Sequence, residues 1–217
     1  MHFNSKLLFI KYAKEYFTNN IKVLEIGPTG YPSYYSQLVG NKSIEWYSLD
    51  LGNKYLNGGD QSPFHIISEQ EYNYPVESES FDIIVCGQVL EHVKDIWRWF
   101  DELRRIVKTN GYIITISPVS WPYHEAPVDC WRIYPEGMKA LLQHKNLTPK
   151  VCTFESLEAE YLLRGSLTLP GKSTLNLDGK LTKKNNLLQF LHKIPVIKKL
   201  TAPITVSYDL ISICQKQ

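Results

Sequence analysis

Two kinds of hydrophobic pattern alternate along this chain of 217 residues. Apolar runs typical of buried strands lie at 21–26, 44–49, 64–67, 81–86, 112–116, 149–155 and 206–214. Between several of them, apolar positions with helical spacing predict helices over 5–17, 34–39, 93–107 and 135–144. Strands that alternate with helices predict an α/β fold, a doubly wound parallel sheet with right-handed crossovers.

The boundaries of two predicted helices carry specific signals. Pro32 and Ser33 precede the helix over 34–39, and proline is tolerated in a first turn. The strongly amphipathic helix over 93–107 is expected to end at the turn formers Asn110 and Gly111, which lead into the strand over 112–116.

Composition indicates a globular protein of the cytoplasm. Apolar residues make up 43% of the chain and charged residues 21%, values usual for such proteins. We expect one domain over 1–217, with no secretory signal and no membrane span. The four cysteines stand far apart without metal-binding spacing, which favours a reduced protein: Cys86, Cys130, Cys152 and Cys214.

The segment over 162–203 differs in charge from the rest of the chain. It holds eight basic residues and one acid, together with an apolar stretch over 187–197. We interpret it as a basic helical insertion or lid, with three open roles: covering an acceptor, docking at the inner face of an anionic membrane, or forming a dimer element. Its lysines lack interleaved aromatics, and the pI of about 8.2 argues against a dedicated nucleic-acid binder.

Candidate chemistry begins where the first strand meets its turn, in VLEIGPTG over 23–30, and continues at Asp50 after the second strand. Small residues let backbone approach a nucleoside, and a carboxylate accepts hydrogen bonds from ribose hydroxyls. NAD, FAD and S-adenosylmethionine all fit this pair. The central glycine of a dinucleotide fingerprint is absent, and Glu25 inside the strand favours a cationic sulfonium over a pyrophosphate. Alternatively, Glu25 supports the loop backbone by hydrogen bonding.

Four motifs in order resemble the class I S-adenosylmethionine-dependent methyltransferases. They are VLEIGPTG, the acid at Asp50, FDIIVCGQVLEHV over 81–93 and ELRRIVKTNGYIITISP over 102–118. The resemblance covers about 21–118 and implies a Rossmann-like sheet of seven strands that binds S-adenosylmethionine. The chain departs from the family at Thr29, near the middle glycine, and at Asn110, which replaces a proline.

The resemblance also implies roles for individual residues. The cofactor site would comprise Glu25, Gly27, Pro28, Gly30, Asp50, Leu51, Glu69, Gln70, Gln88 and Val89, with the adenine contact near 69–71 open in register. His92 is a candidate general base, since histidine exchanges protons near neutral pH. The alternative is that Glu91 and His92 cap the helix that follows.

The segment over 121–142 is the predicted acceptor side. Its pattern resembles that of methyltransferases of polysaccharide and glycan biosynthesis, which implies a sugar or lipid-linked glycan as acceptor. His124 and Asp129 are candidate bases, and the candidate acceptor-binding residues are Trp121, Glu125, Trp131 and Arg132. Alternatively, Asp129 and Arg132 form a local ion pair, and His124 and Glu125 bond loop backbone. No second histidine lies at metal-binding spacing, so we expect no metal.

Three functions follow from these observations. The first is methyl transfer to a small-molecule acceptor, on a hydroxyl of a sugar or glycan-linked intermediate. The second is an RNA or protein methyltransferase that docks through the basic segment. The third is a module that binds S-adenosylmethionine without turnover.

Overall fold

A computed structural model describes residues 3–28, 30–52, 64–125, 127–158 and 207–217. Seven strands form one sheet in the order β3-β2-β1-β4-β5-β7-β6. The strands are β1 (Lys22–Ile26), β2 (Glu45–Leu51), β3 (His65–Ser68), β4 (Phe81–Gly87), β5 (Val107–Ser120), β6 (Leu147–Glu155) and β7 (Tyr208–Lys216). The helices are α1 (Phe3–Leu8), α2 (Tyr34–Val39), α3 (Ile96–Ile106) and α4 (Pro135–His144). The predicted seven-stranded Rossmann-like fold is confirmed.

Both faces of the sheet are covered. Successive residues of β1 alternate between two apolar clusters: Val23 packs on the side of α1 and α2, and Leu24 on the side of α3 and α4. Both side chains are fully buried. Burial on both faces explains why the central strands read as continuous apolar runs rather than as alternating patterns.

The direction of β7 corrects the prediction of a parallel sheet. Strands β1 to β5 pair in parallel, but β7 pairs antiparallel with both β5 and β6. The direction of a strand depends on the connection before it. A buried apolar strand has the same hydrophobic pattern in either direction, so the pattern does not reveal whether it pairs parallel or antiparallel. The sheet is therefore mixed.

The start of α3 also differs from the prediction. Leu90–His92 forms a separate 3₁₀ turn, and α3 begins only at Ile96 because the Asp95 side chain accepts a hydrogen bond of 3.0 Å from the Arg98 amide. The alternative that Glu91 and His92 cap this helix is thus wrong.

The turn expected at Asn110 and Gly111 lies inside a strand. β5 already begins at Val107, and its register against β4 shifts between Phe81 and Ile83, whose partners are Val107 and Tyr112. The extra β5 residues include Asn110, which has a φ of 64°. The register shift accommodates Asn110 and Gly111 as extra residues of β5, so the strand continues through them.

The first predicted helix has three parts. α1 passes into a π-helical turn over Phe9–Ala13 and a 3₁₀ turn over Lys14–Tyr16. The proposed basic segment over 162–203 lies outside the described residues. Among the residues that are described, no helix is long and apolar enough to cross a bilayer.

Candidate functional site

The predicted site residues follow the carboxyl ends of neighbouring parallel strands. The sheet order runs outward from β1 to β3 on one side and from β4 to β5 on the other. The order in which the chain adds strands to the sheet therefore reverses between β1 and β4. Folds of this kind open a crevice for ligands at that point. Loops after β1, β2, β4 and β5 meet at this edge.

The turn after β1 depends on its glycines. Gly27 and Gly30 have φ angles of 65° and 76°, which side chains other than glycine rarely adopt. A Cβ added at Gly27 would lie 2.8 Å from Val89 Cγ2, whereas one at Gly30 would meet no atom of the described residues within 4 Å. Gly27 therefore allows the β1 turn to approach the segment after β4, and the position of Gly30 is open toward a ligand.

The carboxylates of Glu25 and Asp50 lie beside this turn. The Gly27 amide donates to the carbonyl oxygen of Leu49 at 2.9 Å, which holds the turn against the end of β2 just before Asp50. Asp50 is half-buried. The two acids interact electrostatically, since the charge of Asp50 contributes to the raised pKa of Glu25.

Glu25 is itself a buried carboxylate with two side-chain donors. The Ser33 hydroxyl and the Trp46 indole N–H, the latter at 2.9 Å, both donate to its Oε2. Burial raises the pKa of Glu25 to about 7, although these two hydrogen bonds oppose the shift. Because Ser33 also caps α2 by accepting from the Ser36 amide, Glu25 supports the loop through side chains rather than through backbone.

The other cofactor positions lie at the same edge of the sheet. Leu51 ends β2, and Glu69 and Gln70 are exposed immediately after β3, with the Gln70 amide donating to Ser68 Oγ at 3.3 Å. Gln88 has a φ of 59°, and its side chain donates to Ser5 Oγ at 3.0 Å. Their contacts with a cofactor stay predictions.

The loop after β5 is organised around Asp129. Arg132 donates to both carboxylate oxygens of Asp129, at 2.5 and 2.7 Å, and the His124 amide donates to Oδ2 at 2.8 Å. The bidentate guanidinium, with these further contacts, lowers the pKa of Asp129 to about 2. Asp129 is therefore a weak base, and the local ion pair that the sequence spacing allows is present.

Two histidines meet at the acceptor end. The ring centroids of His92 and His124 lie 5.1 Å apart in an edge-on arrangement. The Glu91 side chain in the turn after β4 is fully buried, and burial raises its pKa to about 8, with the backbone N–H of Glu91 and the charge of Arg132 opposing the shift. The site thus brings together both histidines that the sequence singled out.

The remaining predicted acceptor residues differ in exposure. Trp121 is 38% exposed, and Glu125 is exposed and accepts from the Tyr123 hydroxyl at 2.8 Å. Trp131 is half-buried instead, with its N–H donating to the Val93 carbonyl at 2.7 Å and its ring edge-on to Trp97. Trp121 is accordingly more accessible to an acceptor than Trp131.

The sequence reasoning missed the functional potential of Glu91. It also treated His92 and His124 separately, because they are distant in the chain. The signal that connects them is topological: one follows β4, the other follows β5, and these two strands are parallel neighbours. Residues that follow adjacent parallel strands meet at one edge.

Residues 24–115 match the family model described as a methyltransferase domain. No curated protein matches the chain in sequence. A SAM-dependent methyltransferase from Archaeoglobus fulgidus has a similar structure, with a TM-score of 0.60, 16% identity, and 98% of this chain and 92% of that chain covered. A SAM-dependent methyltransferase from Aquifex aeolicus has a TM-score of 0.54 and 14% identity, with 94% of this chain and 87% of that chain covered. Phosphoethanolamine N-methyltransferase 2 from Haemonchus contortus, in complex with S-adenosyl-L-methionine, has a TM-score of 0.57 and 14% identity, with 98% of this chain and 52% of that chain covered.

Residues 24–115, less than half of the chain, match a methyltransferase domain, and the fold is that of solved S-adenosylmethionine-dependent methyltransferases. The predictions of an S-adenosylmethionine-dependent methyltransferase and of its cofactor are confirmed. The residues at the sheet edge fit this cofactor: Gly27 and Gly30 adopt positive φ angles in the turn after β1, and Asp50 at the end of β2 is a half-buried acid that would accept hydrogen bonds from its ribose. When bound, S-adenosylmethionine supplies a methyl group on a positively charged sulfur.

Proposed function

We propose that the protein transfers this methyl group to a hydroxyl of a small-molecule acceptor, a sugar or a glycan-linked intermediate. The observation that carries the proposal is the meeting of His92 and His124, with ring centroids 5.1 Å apart, together with the exposed Trp121, which lies in the same loop as His124. An aromatic face suits a sugar ring, and imidazoles suit a hydroxyl that must lose its proton.

The hydrogen bonds and charges at the acceptor end give the three candidate bases different roles. Asp129 is held by Arg132 and by the His124 amide, so it positions the loop rather than accepting the proton. His92 and His124 are then the groups that assist deprotonation of the acceptor. Methyl transfer from a sulfonium needs little beyond this and correct alignment, because the leaving group is already activated.

A labelling experiment tests the proposed function. The protein is incubated with methyl-labelled S-adenosylmethionine and a cell extract that is separated into small-molecule, RNA and protein fractions, and label is expected in a sugar-containing small-molecule fraction, in an alkali-stable ether. Label recovered in RNA or in protein would contradict the acceptor class. Absence of label from every fraction, with the cofactor still bound, would support a binding module without turnover.

The cofactor arm of the experiment uses Asp50→Ala. A charge-assisted hydrogen bond to ribose contributes about 1.5–3 kcal/mol, so the substitution should weaken binding of S-adenosylmethionine about 10- to 150-fold in calorimetric titration. Glu45→Ala is the matched control, because Glu45 is an exposed carboxylate at the opposite end of the same strand. Equal affinities of the two variants would remove Asp50 from the cofactor site.

A further inference from the structure

One cluster at the sheet edge has the composition of a metal site. Glu91, His92 and His124 each place one potential ligand atom within 4.8 Å of the others. Glu91 and His92 belong to the 3₁₀ turn after β4, and His124 belongs to the loop after β5. Two imidazoles and one carboxylate are a common ligand set for divalent transition metals in enzymes.

Hydrogen bonds orient both imidazoles. His92 Nδ1 lies 2.5 Å from the Val128 carbonyl oxygen, and His124 Nδ1 lies 3.3 Å from that of Pro122 and 3.4 Å from Asp129 Oδ2. Each ring thus uses Nδ1 for a backbone or carboxylate acceptor, which leaves Nε2 with its lone pair. Metal-binding histidines are oriented in this way, with the second nitrogen held by a carbonyl or carboxylate.

The carboxylate of Glu91 is an independent observation that points to a ligand. Its side chain is fully buried, and neither of its oxygens has a hydrogen-bond partner among the described residues. The nearby His92 Nε2 lies 3.8 Å from Oε1, beyond hydrogen-bond distance. A buried carboxylate without partners is costly, and coordination of a cation removes that cost.

We propose that Glu91, His92 and His124 bind a divalent transition metal ion of the Zn²⁺ type. In a tetrahedral zinc site with bonds of about 2.0–2.1 Å, neighbouring ligand atoms are roughly 3.3 Å apart, so binding would draw ligand atoms that now lie within 4.8 Å of one another closer together. Three protein ligands leave a coordination position open. The proposal departs from the sequence-based expectation of no metal, which rested on spacing along the chain and on the resemblance to class I methyltransferases, whose chemistry does not require a metal.

The open position gives the ion a part in the reaction, and this consequence rests on the proposed function. With the ion bound, His92 and His124 assist deprotonation through the ion that they hold, and they do not accept the proton themselves. A hydroxyl coordinated to such an ion loses its proton to water more readily, because the positive charge stabilises the alkoxide. The oxygen electron pair then forms the new bond to the methyl carbon, and the electrons of the carbon–sulfur bond remain on sulfur.

Metal binding is tested without the cofactor, so that its failure is separate from failure of the methyl-transfer proposal. Zn²⁺ is titrated calorimetrically into chelator-treated protein carrying Cys130→Ser, because Cys130 is an exposed thiol near the cluster. We expect one equivalent to bind, with His92→Gln and His124→Gln each weakening affinity more than about 100-fold. His144→Gln, at an exposed position of α4, should bind as the parent does.

Two further measurements keep the proposal falsifiable. Circular dichroism melting of each metal-free variant identifies any that fail to fold, and Co²⁺ absorption should show nitrogen and oxygen ligation without a thiolate band. Asp129→Asn changes the carboxylate that lies 3.4 Å from His124 Nδ1 and helps to orient that ring. It should weaken Zn²⁺ binding about 10- to 100-fold. Binding that is unchanged in folded His92→Gln and His124→Gln, or that Mg²⁺ matches, would overturn the site.

Discussion

Glu25 and Glu91 are both fully buried carboxylates near the sheet edge, yet their surroundings differ. Glu25 accepts hydrogen bonds from Ser33 and Trp46, whereas the oxygens of Glu91 have no such partner among the described residues. Burial raises the pKa of both groups. The difference in hydrogen bonding assigns Glu25 to support of the β1 turn and leaves Glu91 available to a ligand.

The raised pKa of Glu25 predicts a pH-dependent stability. Its carboxyl ionises near pH 4.5 when unfolded and near pH 7 when folded, so the unfolded state releases its proton first as pH rises. The contribution of Glu25 to the free energy of unfolding is therefore complete below pH 4.5 and is lost as pH rises through 7.

Glu25→Gln should remove this dependence, because the amide cannot ionise. Urea unfolding of the two proteins is measured at about pH 5 and about pH 8. Between these pH values, the free energy of unfolding should fall by about 2–3 kcal/mol more in the wild type than in Glu25→Gln. Glu77→Gln, at an exposed position, should follow the wild-type profile. Parallel profiles for wild type and Glu25→Gln would contradict the assigned pKa.

At the scale of elements, the close approach of β4 and β5 is decided by a glycine. A Cβ at Gly111 would lie 2.8 Å from the Asp82 carbonyl oxygen and 2.9 Å from that of Lys108. The sequence marked Gly111 as a turn former, but its φ is not in the left-handed region, and the positive φ belongs to Asn110. Gly111 is thus required for space between strands.

Gly111→Ala should destabilise the protein by about 1–3 kcal/mol, because backbone must move to admit the methyl group. Gly137→Ala in α4 is the matched substitution: among the residues that the structure describes, its Cβ would meet Ile133 Cγ2 alone, at 3.7 Å, an ordinary contact. That variant should be unchanged or more stable by up to about 1 kcal/mol, since alanine favours a helix. Thermal melting of both variants checks the contrast, and equal melting temperatures would refute it.

At the scale of the whole molecule, contacts between distant parts of the chain tie α1 to the far strands. Asn4 is fully buried, and its Nδ2 donates to Asp209 Oδ2 and to the Glu155 carbonyl, both at 2.9 Å. Its Oδ1 accepts from the Leu157 amide at 2.8 Å. One amide side chain therefore joins the first helix to β6 and β7.

Asn4→Ala should lower the free energy of unfolding by about 2–3 kcal/mol, because it leaves buried polar groups of three segments without this partner. Asn73→Ala, at an exposed position, should change it by less than about 0.5 kcal/mol. Chemical denaturation measures both, and a loss at Asn4 no larger than at Asn73 would show that water replaces the lost contacts.

Local patterns were sufficient to predict most elements and the cofactor end of the site. Apolar periodicity located six of the seven strands to within two residues at each end, since burial on a strand depends on neighbouring residues in the chain, but it predicted only the middle of β5. α4 was predicted at its observed bounds, Pro135–His144, because proline marks its first position. The turn after β1 is likewise a local feature, so the sequence motif locates Gly27 and Gly30.

The sequence by itself determined the class of fold and the cofactor. Only the tertiary structure decided the reversed direction of β7, the space that requires Gly111, and the cluster of Glu91, His92 and His124. The physical reason is the same in each case. These features depend on which strands become neighbours, and that pairing joins groups that no local pattern relates.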